Sequence, residues 1–338
     1  MAKKSVWSVI KYQRAKVPPV TTANLAGQTV VVVGANTGIG FEAAKHFAQM
    51  NPGKLILACR NEEKGKAAVA RIQEATGFKG AELRLLDLGK FSSVSAFADA
   101  FKDEPRLDIL VMNAGIGPFT RKVTADGWEE TLQVNDLSTS LVSILLTPKL
   151  VETAKTHGTH PRIVVVSSDM HHWSKIEDKI LNDPSGPFEV LNSDPNRMRY
   201  RYMESKLLNI FFTRSLASLL SSTPVIVDSV NPGYCYSDMR RDLTGVAAKF
   251  HYYAEKLLAW TAEEGSRQLV WAALGGSGDV DRLRGAYIST MAPEDPADFI
   301  AGEGGKKRQD ILWADLVRVL SRIDGRVPGI VDQFTSSH

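Results

Sequence analysis

Cysteine is nearly absent: the 338-residue chain holds two, Cys59 and Cys235. Two cannot frame a disulfide-stapled fold, and both fall in or beside predicted strands, so a reducing compartment is the simpler expectation. Nowhere do about eighteen apolar residues run together, so no transmembrane anchor is expected. The basic N-terminus, Met1 to Arg14, has an apolar patch too short for a secretory segment, although Trp7, Val9 and Ile10 leave weak contact with a membrane surface open. A net charge of +3 offers little to hold nucleic acid or an acidic bilayer. The histidines His171 and His172 have no partners at metal-ligand spacing, which argues for loop residues at a substrate mouth and for no metal. A cytoplasmic protein is expected, and 43% hydrophobic content suffices for a large core.

What is present is organised around Gln28 to Phe47. Val30 to Val33 is a wholly apolar, β-branched run, as in a strand buried on both faces. Gly34, Gly38 and Gly40 then mark a tight turn, with Asn36, Thr37 and Ile39 between them. Apolar residues at helical spacing follow (Phe41, Ala44, Phe47, Ala48). A strand, a glycine turn and a helix predict a phosphate site: glycines let the backbone come close, and the helix N-terminus offers N–H donors and partial positive charge. The spacing, Gly34-x-x-x-Gly38-x-Gly40, differs from the usual Gly-x-Gly-x-x-Gly, and an ordinary strand-to-helix turn is the plain alternative.

Strands alternate with helices along the rest. Strands are predicted at Lys54 to Cys59, Ala81 to Leu86, Leu107 to Met112, Arg162 to Ser167, Pro224 to Ser229 and Gly285 to Ser289. Helices are predicted at Glu62 to Ala75, Phe91 to Phe101, Trp128 to Leu150 (broken near Pro148), Met203 to Leu220, much of 237–275, and Asp310 to Ile323. The pattern is that of an α/β protein with one doubly wound parallel sheet, ligands lying at the carboxyl ends of the strands. Residues 1–27 read as a leader and 28–338 as a single domain. That domain carries an irregular polar insertion at 174–199 and a helical, substrate-covering segment at about 234–260.

Tyr202 and Lys206 are four apart on a predicted helix and share one face. A tyrosine of ordinary pKa, near 10, is a poor base at neutral pH. An ammonium about 4 Å away would favour the phenolate by roughly 4 kcal/mol at an effective dielectric near 20, which brings it towards acid–base work. Tyr12/Lys16 and Tyr252/Lys256 have the same spacing, and for an arbitrary pair a solvated helix face is the default. Only Tyr202 follows a strand ending in Ser167-Ser168 and precedes an Asn231-Pro-Gly233 strand end. Tyr200 has Glu204 at the fourth position, the wrong charge to activate it.

In order, Gly34-Ala-Asn-Thr-Gly-Ile-Gly40, Asp87-Leu88, Asn113-Ala-Gly115, Asn135, Ser168, Tyr202-x-x-x-Lys206 and Asn231-Pro-Gly233 resemble the short-chain dehydrogenases/reductases, whose fold is the Rossmann fold. Ala58-Cys-Arg-Asn61, Ser167-Ser168 with His171-His172, and Glu204-Ser-Lys-Leu207 are similar to its retinol-dehydrogenase-like branch. Val33 and Met112 stand where the family often has threonine and asparagine. The resemblance implies that Tyr202 exchanges a proton with the substrate oxygen. It also implies that Lys206 assists Tyr202 and bonds the nicotinamide ribose, that Ser168 holds the carbonyl oxygen, and that Asn135 links Lys206 to solvent through a water. Asp87 would meet the adenine amine, with Leu88 beside it. Asn113, Ala114 and Gly115 would lie along the adenosine ribose, and Pro232, Gly233 and Ser237 would flank the nicotinamide amide.

Where an acidic residue would bind the ribose hydroxyl of NAD, the chain has Cys59-Arg60, with Lys64 one turn on; arginine suits a 2′-phosphate and predicts NADP(H). Beyond Gly233 the aromatic and apolar residues Tyr234, Tyr236, Met239, Leu243, Val246, Phe250, Tyr252, Tyr253, Leu257, Leu258 and Trp260 would cover a large dry pocket, closed opposite by Phe119 and by Met170 to Trp173. Packing on the domain body is the plain alternative. The expected function is hydride transfer between NADP(H) and a bulky hydrophobic alcohol/carbonyl pair. A catalytically silent dinucleotide sensor or scaffold is the alternative, and a homodimer is compatible with the sequence.

Overall fold

The computed structural model describes residues 6–118, 120–236, 255–276 and 278–335. Eight strands form one sheet in the order β3-β2-β1-β4-β5-β6-β7-β8. They are β1 (Thr29–Val33), β2 (Lys54–Cys59), β3 (Ala81–Leu85), β4 (Ile109–Met112), β5 (Arg162–Val166), β6 (Ile226–Val230), β7 (Tyr287–Ser289) and β8 (Ala292–Glu294). The first seven pair in parallel, and β8 returns antiparallel on β7. That last strand escapes the sequence pattern because it is three residues long and half-exposed. Its tight turn holds Thr290 and Met291 at positive φ, which side chains other than glycine rarely adopt.

Side-chain alternation divides the core in two. Val31 and Val33 face one layer, Val30 and Val32 the other, and every residue of β1 is buried. Helices α2 (Gly38–Gln49), α3 (Glu62–Thr76) and α10 (Ala262–Leu274) cover one face. The other face takes α4 (Phe91–Asp99), the short α5 (Glu130–Leu132), α6 (Ser138–His157), α9 (Met198–Leu219), α11 (Gly302–Ile323) and α12 (Val327–Thr335). The chain runs outward from β1 to β3, then crosses back to place β4 on the other side of β1. The crevice of a doubly wound sheet therefore opens between the ends of β1 and β4.

Two expectations are corrected. Pro148 does not break its helix: α6 runs on to His157, its neighbours Leu150, Val151 and Ala154 buried, so packing outweighs one lost backbone bond. Ahead of it, Gln133–Leu137 is wound as a π-helix. The insertion is not irregular. It forms α7 (Asp178–Leu181) and α8 (Pro187–Ser193) and buries Ile176, Ile180, Leu181, Phe188 and Leu191, an apolar set spaced too unevenly to show a period. In the leader, the helix α1 (Val6–Gln13) packs on the domain as a surface helix would, with bonds described below.

Candidate active site

The turn after β1 needs its three glycines for different reasons. Gly34 has φ +78°, and a Cβ on it would lie 2.9 Å from Ala114. Gly40 has ordinary φ, but a Cβ there would meet Asn113 Nδ2 at 2.3 Å and the Gly34 carbonyl oxygen at 2.4 Å. Gly38 has φ +61° and only open space where its Cβ would stand. The Asn113 amide donates to the carbonyls of Val33 (3.2 Å) and Gly34 (3.1 Å) and so ties β4 to the turn. Thr37 leads into α2 with extended backbone, its side chain makes no cap bond, and no acidic residue stands in the first turn. Asn36, Gly38 and Ile39 are half-buried around it. A helix N-terminus facing open space, with the backbone bared by glycine, fits the pyrophosphate of a dinucleotide.

Further along the same edge, Asp87 accepts from the main-chain N–H of Gly89 (3.0 Å), and Leu88 is buried with its carbonyl accepting from Ser138 Oγ at 2.6 Å. The N-cap of α4 is Lys90, not Asp87. Arg60 and Lys64 are exposed beyond β2, and Glu62 pairs with Lys66 (2.6 Å).

On α9, Tyr202 and Lys206 lie one turn apart. The Lys206 ammonium is 5.6 Å from the Tyr202 ring centroid and donates to the carbonyl of Val166 (2.8 Å) and to Asn209 Oδ1 (3.4 Å). Burial lowers the Lys206 pKa to about 8 against the opposing pull of Asp136. Asn135 sits in the π-helical turn, 1% exposed. Its side chain is locked by Ile116 N–H (2.9 Å) and carbonyl (2.8 Å) and donates to Ser205 Oγ (3.0 Å). A Cβ on Gly115 would lie 3.4 Å from both Asn135 Oδ1 and Lys206 Nζ, so that backbone runs directly beside the pair. Ser168 follows β5 and its Oγ accepts from Met170 N–H (3.2 Å), which leaves its O–H as a donor. Asn135, Lys206 and the Gly115 backbone thus meet beyond β4 and β5, with Ser168 following β5 and Tyr202 one turn before Lys206 on α9.

The start of α9 is fixed by buried charge. Arg201, 1% exposed, meets Glu129 (3.1 Å) and Glu204 (3.2 Å) and donates to the Leu191 carbonyl of the insertion, while Arg197 Nε bonds Glu204 at 2.8 Å. Glu204 at the fourth position from Tyr200 is therefore spent on arginines, and Tyr200 lies 42% exposed.

The sequence misplaced two features. His171 and His172 are buried, not at a mouth: His171 Nδ1 donates to the Ser168 carbonyl (2.7 Å) and its Nε2 accepts from Ala297 N–H (3.1 Å). Tyr12 is not on a solvated face. Its hydroxyl bonds Asp169 and accepts from Asn231 Nδ2 (3.3 Å), and Tyr287 OH donates to the other oxygen of Asp169 at 2.7 Å. Burial, then the Asp169 charge, pushes the Tyr12 phenol up, so it stays protonated. Gln13 bonds both the carbonyl (2.7 Å) and the N–H (3.1 Å) of Tyr234, and its own carbonyl accepts from Trp260 Nε1 at 2.8 Å.

Gly233, at φ +82°, is closed by the Trp260 ring, which a Cβ would meet at 2.5 Å. Trp260 thus packs on α1 and Gly233 instead of covering a pocket, and Pro232 accepts the Cys235 thiol through its carbonyl (3.3 Å). Ser237, Phe119 and the expected pocket residues Met239, Leu243, Val246, Phe250, Tyr252 and Tyr253 lie outside the described residues. Among the described residues no helix is long and apolar enough to cross a membrane.

Residues 28–176 match the short chain dehydrogenase family. The chain is 37% identical over 325 residues to the short-chain dehydrogenase anuD of Penicillium roqueforti, covering 93% of this chain and 82% of that protein. It is 33% identical over 332 residues to the short-chain dehydrogenase/reductase phmF of Phaeosphaeria nodorum, covering 96% of each. Among solved structures, salutaridine reductase from Papaver somniferum is 25% identical, with a TM-score of 0.57 over 73% of this chain and 95% of that one. At 37% and 33% identity to such relatives over more than nine-tenths of its length, the chain belongs to the short-chain dehydrogenase/reductase family.

Proposed function

We propose that this oxidoreductase transfers a hydride between NADP(H) and a bulky hydrophobic alcohol/carbonyl pair, as one domain over residues 28–338. The observation that carries the reading is the placement of the Lys206 ammonium. It is buried, held by the Val166 carbonyl, and 5.6 Å from the Tyr202 ring at the ligand edge of the sheet. NADP(H), when bound, supplies or accepts the hydride. Tyr202 Oη carries the proton to or from the substrate oxygen, and the nearby ammonium stabilises the phenolate left behind. Ser168 O–H holds that oxygen, and Asn135 keeps the Gly115 backbone and α9 in register. Gly34, Gly38 and Gly40 with the start of α2 would take the pyrophosphate. Asp87, Leu88, Asn113 and Ala114 would line the adenosine end. Pro232, Gly233 and Ser237 would flank the nicotinamide amide. Arg60 and Lys64 would take the 2′-phosphate, which is the basis for NADP(H) over NAD.

The substrate class is supported by where apolar surface is left open. Of the six large hydrophobic side chains exposed among the described residues, Met170, Tyr200 and Tyr236 lie within two positions of Ser168, Tyr202 and Ser237 in the chain. Tyr202→Phe is expected to bind NADPH as wild type and to lose turnover by about a thousandfold or more, within the range for removing a general acid–base. Wild-type turnover in that variant refutes the assignment. In a direct comparison, kcat/KM is expected to be higher for a bulky apolar ketone than for a short polar keto acid, and the reverse order rejects the substrate class.

A further inference from the structure

Behind Lys206 lies a second buried carboxylate, next to a residue the sequence singled out. Asp136 follows Asn135 in the π-helical turn and is 2% exposed. One of its oxygens accepts from Asn209 Nδ2 at 3.3 Å, and the other has no hydrogen-bond partner among the described residues. Asn209 also accepts from Lys206 Nζ (3.4 Å) and donates to the Asn135 carbonyl (2.8 Å). One amide therefore touches the ammonium, the carboxylate and the turn that holds Asn135. Both residues of the π-helical turn reach α9, Asn135 through Ser205 and Asp136 through Asn209.

We propose that Asp136 is a positioning residue for the reaction: through Asn209 it acts as the buried counter-charge that keeps the Lys206 ammonium charged and aimed at Tyr202. An ammonium out of water needs such a partner, since burial alone favours its neutral form. The groups facing Asp136 are few. From α9 come Lys206, Arg201 and Glu204, and from the start of α5 comes Glu129. Arg201 is already engaged by Glu129 and Glu204, so Lys206 is the cation whose charge Asp136 is left to balance. The remaining wall, from α8, α9 and α11, is lined by Phe188, Leu208, Phe211, Leu312, Trp313 and Leu316, with only the hydroxyls of Ser140 and Ser215 among them. Burial raises the Asp136 carboxyl and so opposes its ionisation, while Lys206 is the first charge that lowers it, so each of the pair favours the charged form of the other.

This inference rests on the proposed role of Lys206, but it can be read without substrate. Lysine labelled with carbon-13 at Cε is titrated by NMR, with Lys206 assigned by the signal missing from Lys206→Met. In the wild type that signal is expected to titrate at about 8. In Asp136→Asn it is expected to titrate lower by about one unit or more, while Asp136→Glu restores the wild-type value. Asp136→Ser is the second neutral variant should asparagine disturb the fold. In the wild type the Asp136 carboxyl carbon must also respond at the pH where Lys206 titrates. An unchanged Lys206 titration in a folded neutral variant overturns the proposal, as does an Asp136 carbon that ignores it. If Lys206 shifts as expected but no alcohol or carbonyl is turned over, the proposed function fails while the counter-charge stands. Where an active substrate is found, the alkaline limb of kcat should move down in Asp136→Asn, with turnover near wild type at pH 6. A purely structural role would lower activity evenly across pH.

Discussion

Replacing Gly40 by alanine tests whether the turn after β1 is built by close approach and not by flexibility. The added methyl would stand 2.3 Å from the Asn113 amide nitrogen and 2.4 Å from the Gly34 carbonyl oxygen, about 1 Å inside normal contact on both sides. The backbone oxygen cannot retreat, since the strand behind it is fully buried. The amide of Asn113 must therefore swing away and lose its bonds to Val33 and Gly34, at about 1 kcal/mol each. Overpacking adds about 1–2 kcal/mol. The sum, roughly 3–4 kcal/mol, corresponds to a melting temperature lower by about 4–6 °C for a chain of 338 residues. Gly38→Ala is the control. There the methyl meets nothing within 4 Å and the cost is the strain of φ +61° alone, about 1–2 kcal/mol. Its methyl would instead stand in the open space ahead of α2, so it should weaken NADPH binding more than it weakens the apoprotein. Thermal melts with and without NADPH, read beside fluorescence titration of the cofactor, separate the two. A Gly40→Ala protein that melts within about 2 °C of wild type and binds NADPH normally would refute the reasoning.

Two other outcomes are expected. Arg60→Ala should cut the preference for NADPH over NADH by about tenfold or more, one ion-paired phosphate contact being worth over 1 kcal/mol; equal use of both cofactors by the wild type would argue against it. Asp324 accepts from Arg326 and from Ser95 Oγ (2.6 Å) at the joint between α11 and α12, and Arg326, followed by Ser95, holds its carboxyl below the usual carboxylate range despite partial burial. A depressed folded pKa stabilises above the unfolded value of about 4 and loses that stability as pH falls. Asp324→Asn should therefore melt lower than wild type at pH 7, by about 1–2 kcal/mol, with the gap closing in acid melts; a gap constant down to pH 3 would contradict it.

The sheet and its ligand edge were legible because burial writes itself plainly in this chain. Runs such as Val30 to Val33 and Ile163 to Val166 could only be central strands, and a glycine turn or a serine pair at the end of each marks the same edge. Tyr202 could be told from Tyr12 by its neighbours in sequence. What could not be read was long-range bonding. Tyr12 sits in a polar nest with Asp169, Asn231 and Tyr287, partners 157 and 219 positions away for the first two, and no local period encodes that. Asp136 escaped notice because a carboxylate on a mostly apolar helix resembles any exposed acid until Asn209 is seen beside it. The histidines misled because a polar pair after a strand end suggests a loop, whereas His171 uses both ring nitrogens on backbone.

The bonding of α1 has a consequence for how the protein is made. The side chain of Gln13 is completed by Tyr234, 221 positions later in the chain, and its carbonyl by Trp260 later still. At about 5–20 residues per second of synthesis, the wait for Tyr234 lasts roughly 11–44 s, during which the glutamine side chain has no native partner. The nascent chain can assemble β1 to β5 before α1 docks, so docking of the N-terminus is among the last events of folding. A bulky fusion ahead of α1 should then delay maturation of the strand end at Asn231 to Tyr234 while leaving the glycine turn to form on schedule.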